Sequence, residues 1–198
     1  MKTKRGSGLL VIVVGPSGVG KTAVVRALEG IYGKITGRVI TTTTRQPRPG
    51  ERDGVDYHFI TKKEFKKRDK EGKFYETNAY ANMPHLYGTG CADMDSALKK
   101  NKIVFIVLDV NGTQAIKEKI PEALVVFLVP GDEKDLKQRI ESRLGADKEV
   151  TRKRLATALE ELKMSRNFSR PVVNEDGKFD ATIEEIRQRI DLRLNLSR

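Results

Sequence analysis

Residues 15–22 read Gly-Pro-Ser-Gly-Val-Gly-Lys-Thr, a complete G-x-x-x-x-G-K-[ST] pattern. The apolar run Leu9–Val14 leads into it, and a helix-like stretch from Ala23 to Leu28 follows. That order narrows the folds open to the chain. A buried strand must end in a tight glycine turn, and a helix must start at once, for backbone N–H groups to converge on phosphate. Gly15, Pro16, Ser17, Gly18, Val19, Gly20, Lys21 and Thr22 would then form a triphosphate cradle. Lys21 would reach the β- and γ-phosphates, and the Thr22 hydroxyl would ligate Mg²⁺.

The rest of the chain keeps an α/β rhythm with one interruption. Strand-like runs occupy Leu9–Val14, Arg38–Thr42, Ile103–Val110, Leu124–Val129 and Pro171–Asn174. Helix-like runs cover Thr22–Tyr32, Asp93–Lys100, Gly112–Ile120, Asp132 to about Leu144, Val150–Phe168 and a C-terminal segment from Asp180. In that last segment Ile183, Ile186, Ile190 and Leu194 fall on one face. Apolar strands alternating with helices predict a central parallel sheet covered on both sides, a three-layer P-loop fold. Between Thr43 and Gly90 the chain turns rich in Gly, Pro, Tyr and charge. Asp56–Ile60 and Phe74–Tyr80 look like strands there, and Thr61–Glu64 looks like a capping box opening a short charged helix. This section reads as an inserted subdomain with antiparallel strands.

A net charge of +11 suits polyanionic ligands. The most basic stretch, Lys62–Lys73, carries seven positive and three negative residues but no aromatics at stacking spacing. It reads as a solvated helix face, so nucleic acid is not favoured as a partner. The single cysteine, Cys91, precludes an intrachain disulfide and fits a reducing compartment. The apolar run after Lys4-Arg5 is too short for a signal peptide, and no stretch approaches a bilayer span. A cytoplasmic protein without membrane association is expected. Nothing in the sequence specifies an oligomeric state.

A second cluster runs Thr41-Thr42-Thr43-Thr44-Arg45-Gln46-Pro47-Arg48-Pro49-Gly50-Glu51-Arg52-Asp53-Gly54-Val55-Asp56-Tyr57-His58-Phe59. It places hydroxyls, arginines and a tyrosine around a Pro/Gly turn. Arginine forks bind phosphate oxygens bidentately, so this cluster reads as a second phosphate site. Two such sites in one small α/β chain point to a kinase whose acceptor is already phosphorylated.

Both motifs together resemble the guanylate kinases, which pair G-P-S-G-x-G-K-[ST] with T-T-R-x-P-R-x-G-E-x-x-G-x-D-Y-x-F. The likeness continues through Phe74-Tyr75-Glu76, Tyr87-Gly88-Thr89, Leu108-Asp109, the Arg139–Arg154 region and Val172-Val173-Asn174-Glu175-Asp176. It implies ATP in the Gly15–Thr22 loop, with Mg²⁺, and GMP or dGMP as acceptor. It divides the single domain into a core of residues 1–40 and 91–198, a helical lid at about 138–155, and a monophosphate-binding subdomain at 41–90. Thr41, Arg45, Arg48, Tyr57 and Tyr87 would hold the GMP phosphate. Glu76 and Thr89 would read the guanine, and Asp109 would support that site. The chemistry agrees, because a carboxylate accepts from guanine N1–H and N2–H and a hydroxyl donates to O6. Adenine would leave the carboxylate unpaired.

Lys21, Arg45 and the lid arginines Arg139, Arg143 and Arg154 would neutralise the transferred phosphoryl group. Asp109 could equally be a metal-side acid at a strand end or a helix cap. His58 and His85 have no required role. Three departures from the family pattern stand out. Thr77–Leu86 is about two residues longer than the pattern, Val107 replaces an acid, and the lid reads Arg143-Leu144-Gly145. Two other readings stay open: a small kinase for another phosphorylated acceptor, and a non-catalytic interaction module of the same family. The intact Lys21 and Thr22 argue against the module.

Overall fold

The computed structural model describes residues 8–79, 85–144, 148–168 and 170–195. Nine strands and seven helices follow in chain order among the described residues. They are β1 (Leu9–Val14), α1 (Lys21–Tyr32), β2 (Thr36–Arg38), β3 (Thr42–Thr43), β4 (His58–Phe59), α2 (Lys62–Lys70), β5 (Phe74–Ala79) and β6 (Leu86–Gly90), then α3 (Cys91–Lys100), β7 (Ile103–Val107), α4 (Val110–Lys119), β8 (Leu124–Pro130), α5 (Glu133–Leu144), α6 (Lys148–Met164), β9 (Val172–Asn174) and α7 (Phe179–Asn195). Five strands form a sheet in the order β2-β7-β1-β8-β9. The pairs β2 with β7, β1 with β8 and β8 with β9 are parallel. The remaining four form a smaller sheet, β4-β3-β6-β5. The fold is thus α/β, with a parallel sheet and a separate sheet that carries antiparallel strands, as the sequence predicts.

Two compact units lie within this order. One falls within Met1–Leu10, Lys34–Ile106 and Asn111–Ala123, and the other within Val11–Gly33, Val107–Val110 and Leu124–Arg198. In the second unit the apolar run of β1 is fully buried from Val11 to Val14. A strand covered on both faces needs such an unbroken apolar run rather than alternation. Val14, Val110 and Phe127 form a cluster there, and Phe168 packs its ring 4.9 Å from that of Phe127. Helix α1 buries Val24, Val25 and Leu28. Helix α7 buries Thr182, Ile183, Ile186 and Ile190, the face its periodicity marks.

The first unit holds the smaller sheet. It is mixed: β3 pairs with β4 in parallel and with β6 antiparallel, and β5 pairs with β6 antiparallel. Helix α2 begins as the sequence suggests, with the Thr61 hydroxyl accepting from the Glu64 N–H at 3.2 Å. Its one apolar residue, Phe65, is buried and stacks on Phe74 at 4.6 Å between ring centroids. Lys62, Lys63, Lys66, Lys67 and Lys70 are exposed, so the basic run is a solvated face.

Several boundaries differ from the sequence expectation. Arg38–Thr42 is not one strand, because β2 ends at Arg38 and β3 starts at Thr42 in the other sheet. A β-branched run signals extended backbone without saying which partner it pairs with. The strand expected over Ile103–Val110 stops at Val107, and α4 starts at Val110. Asp180 lies inside α7 rather than capping it, whereas Asp132 does cap α5, accepting from the Lys134 N–H at 2.8 Å. Among the described residues, no helix is long and apolar enough to cross a membrane.

Candidate active site

The phosphate loop forms as its sequence requires. A Cβ on Gly15 would run into the Leu128 carbonyl, and one on Gly20 would lie 2.6 Å from Asn174 Nδ2. Both residues have positive φ, 143° and 96°, which glycine alone adopts without strain. Gly20 is the N-cap of α1 and offers no side chain to its N–H groups. The helix start is therefore left for an anion, whose charge the helix dipole also favours. Lys21 lies across the loop, with Nζ donating to the Gly15 carbonyl at 2.6 Å and the Pro16 carbonyl at 3.0 Å. Thr22 follows in the first turn, exposed.

Two residues that the sequence reading did not single out hold this loop. Asn174, buried on β9, donates from Nδ2 to the Val19 carbonyl at 2.8 Å. The Thr182 hydroxyl of α7 lies 3.4 Å from Asn174 Oδ1 and orients that amide. Glu161 of α6 lies near the loop, in the field of the charges of both Lys21 and Asp109. Burial pushes its carboxyl up to about 7, a rise that the Asp109 charge reinforces and that Lys21 opposes. Asn174 stands in the quoted Val172–Asp176 stretch, but nothing local gives it a role, because its contact lies more than a hundred residues away in sequence.

Asp109 therefore sits in the electrostatic field of the phosphate-loop group, beside Glu161. The arginines expected in the lid are only partly visible. Arg139 forms an ion pair with Asp176, and its Cβ would lie 3.8 Å from a Cβ on Gly18. The side chains of Arg143 and Arg154 lie outside the described residues, as do residues 80–84 of the long Thr77–Leu86 segment and 145–147 of the lid.

The second cluster converges on Arg45. Its Nη1 and Nη2 donate to the two oxygens of Glu51 at 2.7 and 2.9 Å, a bidentate pair that is largely buried. Its guanidinium lies 5.1 Å from the Tyr57 ring centre and 5.6 Å from that of Phe59. Tyr87 packs edge-on against Tyr57 at 6.1 Å and also hydrogen-bonds Arg45. Glu51 further accepts from the Arg48 N–H at 2.8 Å, which fixes the turn that carries the second arginine. Arg45 holds the Glu51 carboxyl below the usual carboxylate range, and burial raises the Tyr57 phenol. One donor, Arg45 Nε, is buried with no acceptor among the described residues. An orphaned cationic donor is costly unless an anion completes it. Thr41 enters through its carbonyl, which accepts from the His58 N–H at 2.9 Å.

Glu76 and Thr89 face each other across β5 and β6 as register partners. The Thr89 hydroxyl, fully buried, donates to Glu76 Oε1 at 2.6 Å. Further along, Tyr75 donates to Asp95 at 2.7 Å. His58 lies 3.7 Å from Asp93, and His85 lines an open hollow of about 460 Å³ with Thr44, Arg45, Phe59 and Lys62. Burial and the neighbouring cations lower the His85 imidazole below its usual value, so it carries little charge.

Comparison with known proteins gives the family. The guanylate kinase family model matches residues 7–192. The chain is 38% identical over 169 residues to the guanylate kinase of Lactiplantibacillus plantarum, covering 85% of this chain and 81% of that protein. It is 40% identical over 169 residues to that of Mycolicibacterium paratuberculosis, covering 85% and 75%. The crystal structure of guanylate kinase from Anaplasma phagocytophilum shares the fold, with a TM-score of 0.72 over 97% of this chain and 89% of that one at 20% identity. The protein belongs to the guanylate kinase family.

Proposed function

We propose that the protein transfers the γ-phosphoryl group of ATP to GMP, and to dGMP, giving the nucleoside diphosphate and ADP. The observation that carries this reading is the Glu76–Thr89 pair, which sits in the same small sheet as the Arg45 cluster. A purine with two adjacent N–H donors matches a carboxylate, and the Thr89 hydroxyl fixes that carboxylate in place. Adenine presents an acceptor where Glu76 needs a donor, and a buried mismatch of that kind discriminates strongly.

In this reading Arg45 and Arg48, with Tyr57 and Tyr87, hold the GMP phosphate. Glu51 keeps the Arg45 fork in position through both of its oxygens. The backbone of Gly15–Thr22 holds the ATP phosphates, and Lys21 swings from the loop carbonyls to the β- and γ-phosphates. A GMP phosphate oxygen attacks the γ-phosphorus, and the bond to the bridging oxygen of ADP breaks. The attacking GMP phosphate oxygen is already ionised at neutral pH, so no side chain has to act as a strong base. Charge neutralisation then falls to Lys21, Arg45, Arg139, Arg143 and Arg154.

The donor set fits magnesium. The exposed Thr22 hydroxyl follows Lys21 directly, and Asp109 lies within the field of the same group. Mg²⁺ prefers hard oxygen ligands and completes its shell with phosphate and water, so one hydroxyl suffices from the protein. When bound it supplies charge neutralisation between the β- and γ-phosphates. A cytoplasmic role in purine nucleotide metabolism follows from the substrates. The test is steady-state ADP release with ATP and Mg²⁺, with and without GMP. GMP-dependent release is the expected outcome, and ADP release that ignores GMP argues against it.

A further inference from the structure

Strand β5 carries one residue more than its partner between Phe74 and Glu76. Phe74 pairs with Gly90 and Glu76 pairs with Thr89, so two steps along β5 match one step along β6. Tyr75 is the extra residue of a β-bulge. On either side the ladder is regular. The Cys91 N–H bonds the Lys73 carbonyl at 2.9 Å, and Thr77, Asn78 and Ala79 pair in order with Gly88, Tyr87 and Leu86. Register partners share a face of the sheet, and successive residues alternate between faces. Phe74 therefore lies on the face of Gly88 and Gly90, and Glu76 lies on the face of Tyr87 and Thr89. The contacts agree: Phe74 stacks on Phe65 of α2, a Cβ on Gly88 would lie 3.1 Å from both rings, and Glu76 accepts from the Thr89 hydroxyl at 2.6 Å.

A regular strand would place Phe74 and Glu76, two residues apart, on one face. Glu76 would then oppose Gly88 on the side filled by Phe65 and Phe74, and Tyr75 would oppose Thr89. The bulge resolves this conflict, since one strand serves the apolar contact with α2 on one side and the carboxylate on the other. Two ties hold the extra residue. The Tyr75 hydroxyl donates to Asp95 Oδ1 of α3 at 2.7 Å, and the Tyr75 carbonyl accepts from Lys119 Nζ of α4. Both ties come from helices of the same compact unit, outside the small sheet itself. We propose that Tyr75 is a positioning residue for the acceptor base: pinned by Asp95 and Lys119, the bulge turns Glu76 onto the Thr89 face, where it reads guanine. This rests on reading the Glu76–Thr89 pair as the guanine site.

Variants of the full-length enzyme test it. Tyr75→Phe removes the hydroxyl, Asp95→Ala removes its acceptor, Asp95→Asn keeps an acceptor without the charge, and Lys119→Met removes the tie at the carbonyl. Tyr75→Phe and Asp95→Ala should each raise KM for GMP about fivefold, with KM for ATP within about twofold. The double variant should lose no more than either single one, because both changes break the same bond. Asp95→Asn should recover most of the loss, and Lys119→Met should raise KM for GMP in the same selective way. Tyr75→Phe keeps the ring, so it serves if another variant does not fold. An unchanged KM for GMP in Tyr75→Phe, equal rises for both nucleotides, or a loss confined to melting temperature overturns the proposal. Glu76→Gln run in parallel tests the underlying reading. If Glu76→Gln keeps a normal KM for GMP, guanine is not read there; if it loses GMP while Tyr75→Phe does not, only the role of Tyr75 falls.

Discussion

The Thr89 hydroxyl donates to Glu76 Oε1 at 2.6 Å, across a register pair of β5 and β6. This bond orients the carboxylate, and in the proposed reaction Thr89 therefore acts together with Glu76. Glu76→Gln keeps the shape and replaces one acceptor with a donor. It should weaken GMP by about 2 kcal/mol, roughly thirtyfold in KM, with KM for ATP within about twofold. Equal loss for both nucleotides would argue against a guanine-reading role. Steady-state kinetics against each substrate decides between them.

Glu51 governs Arg45. Glu51→Gln breaks the bidentate pair and frees the fork, so KM for GMP should rise about tenfold. The same pair sets a pH dependence. Arg45 lowers the folded carboxyl below its usual 4.5, so the stabilisation is present above that value and lost as pH falls through the lowered one. The difference in melting temperature between wild type and Glu51→Gln should be largest near neutrality and should shrink as the pH falls below 4.5. A difference independent of pH over that range would contradict the ion pair.

Asn174 and Gly20 are coupled. Asn174→Ala leaves the Val19 carbonyl unpaired and should cost about 1–2 kcal/mol of stability, with a rise in KM for ATP. Gly20→Ala forces a Cβ at φ 96° and within 2.6 Å of Asn174 Nδ2. In the double variant the second conflict disappears and the first remains. The combined loss should therefore be smaller than the sum of the single losses, as measured by denaturant unfolding. Full additivity would mean that Asn174 does not crowd the turn.

The phosphate loop and the Arg45 segment were legible because each is a contiguous pattern whose chemistry depends on local backbone and side-chain order. The apolar runs of β1, β7 and β8 were legible for the same reason. What escaped the sequence was long-range. Asn174 acts on the loop through a tertiary contact, and no spacing announces it. The split of Arg38–Thr42 between two sheets escaped for a similar reason, since strand propensity carries no partner information. Glu51 stood in the quoted segment, but only the folded turn shows that it holds Arg45 and the Arg48 N–H together.

Phe65 is the anchor of the smaller sheet. It is 2% exposed and stacks on Phe74, the first residue of the strand that carries Glu76. Phe65→Ala should cost about 3–5 kcal/mol, or less if the stack collapses into the gap. The loss should appear first as weaker GMP binding, detectable by calorimetric titration. Weaker ATP binding with GMP unaffected would contradict that placement.

In the proposed reaction, guanine is read at the Glu76–Thr89 pair and the triphosphate is held at Gly15–Thr22. The most direct measurement of this is initial turnover with a matrix of donors and acceptors: ATP or GTP against GMP, dGMP, AMP, CMP, UMP and dTMP. The account predicts that ATP with GMP is the fastest pair, that dGMP follows, and that AMP, CMP, UMP and dTMP are poor acceptors with either donor. Comparable turnover of AMP with GTP would place guanine in the loop instead, and would contradict the account.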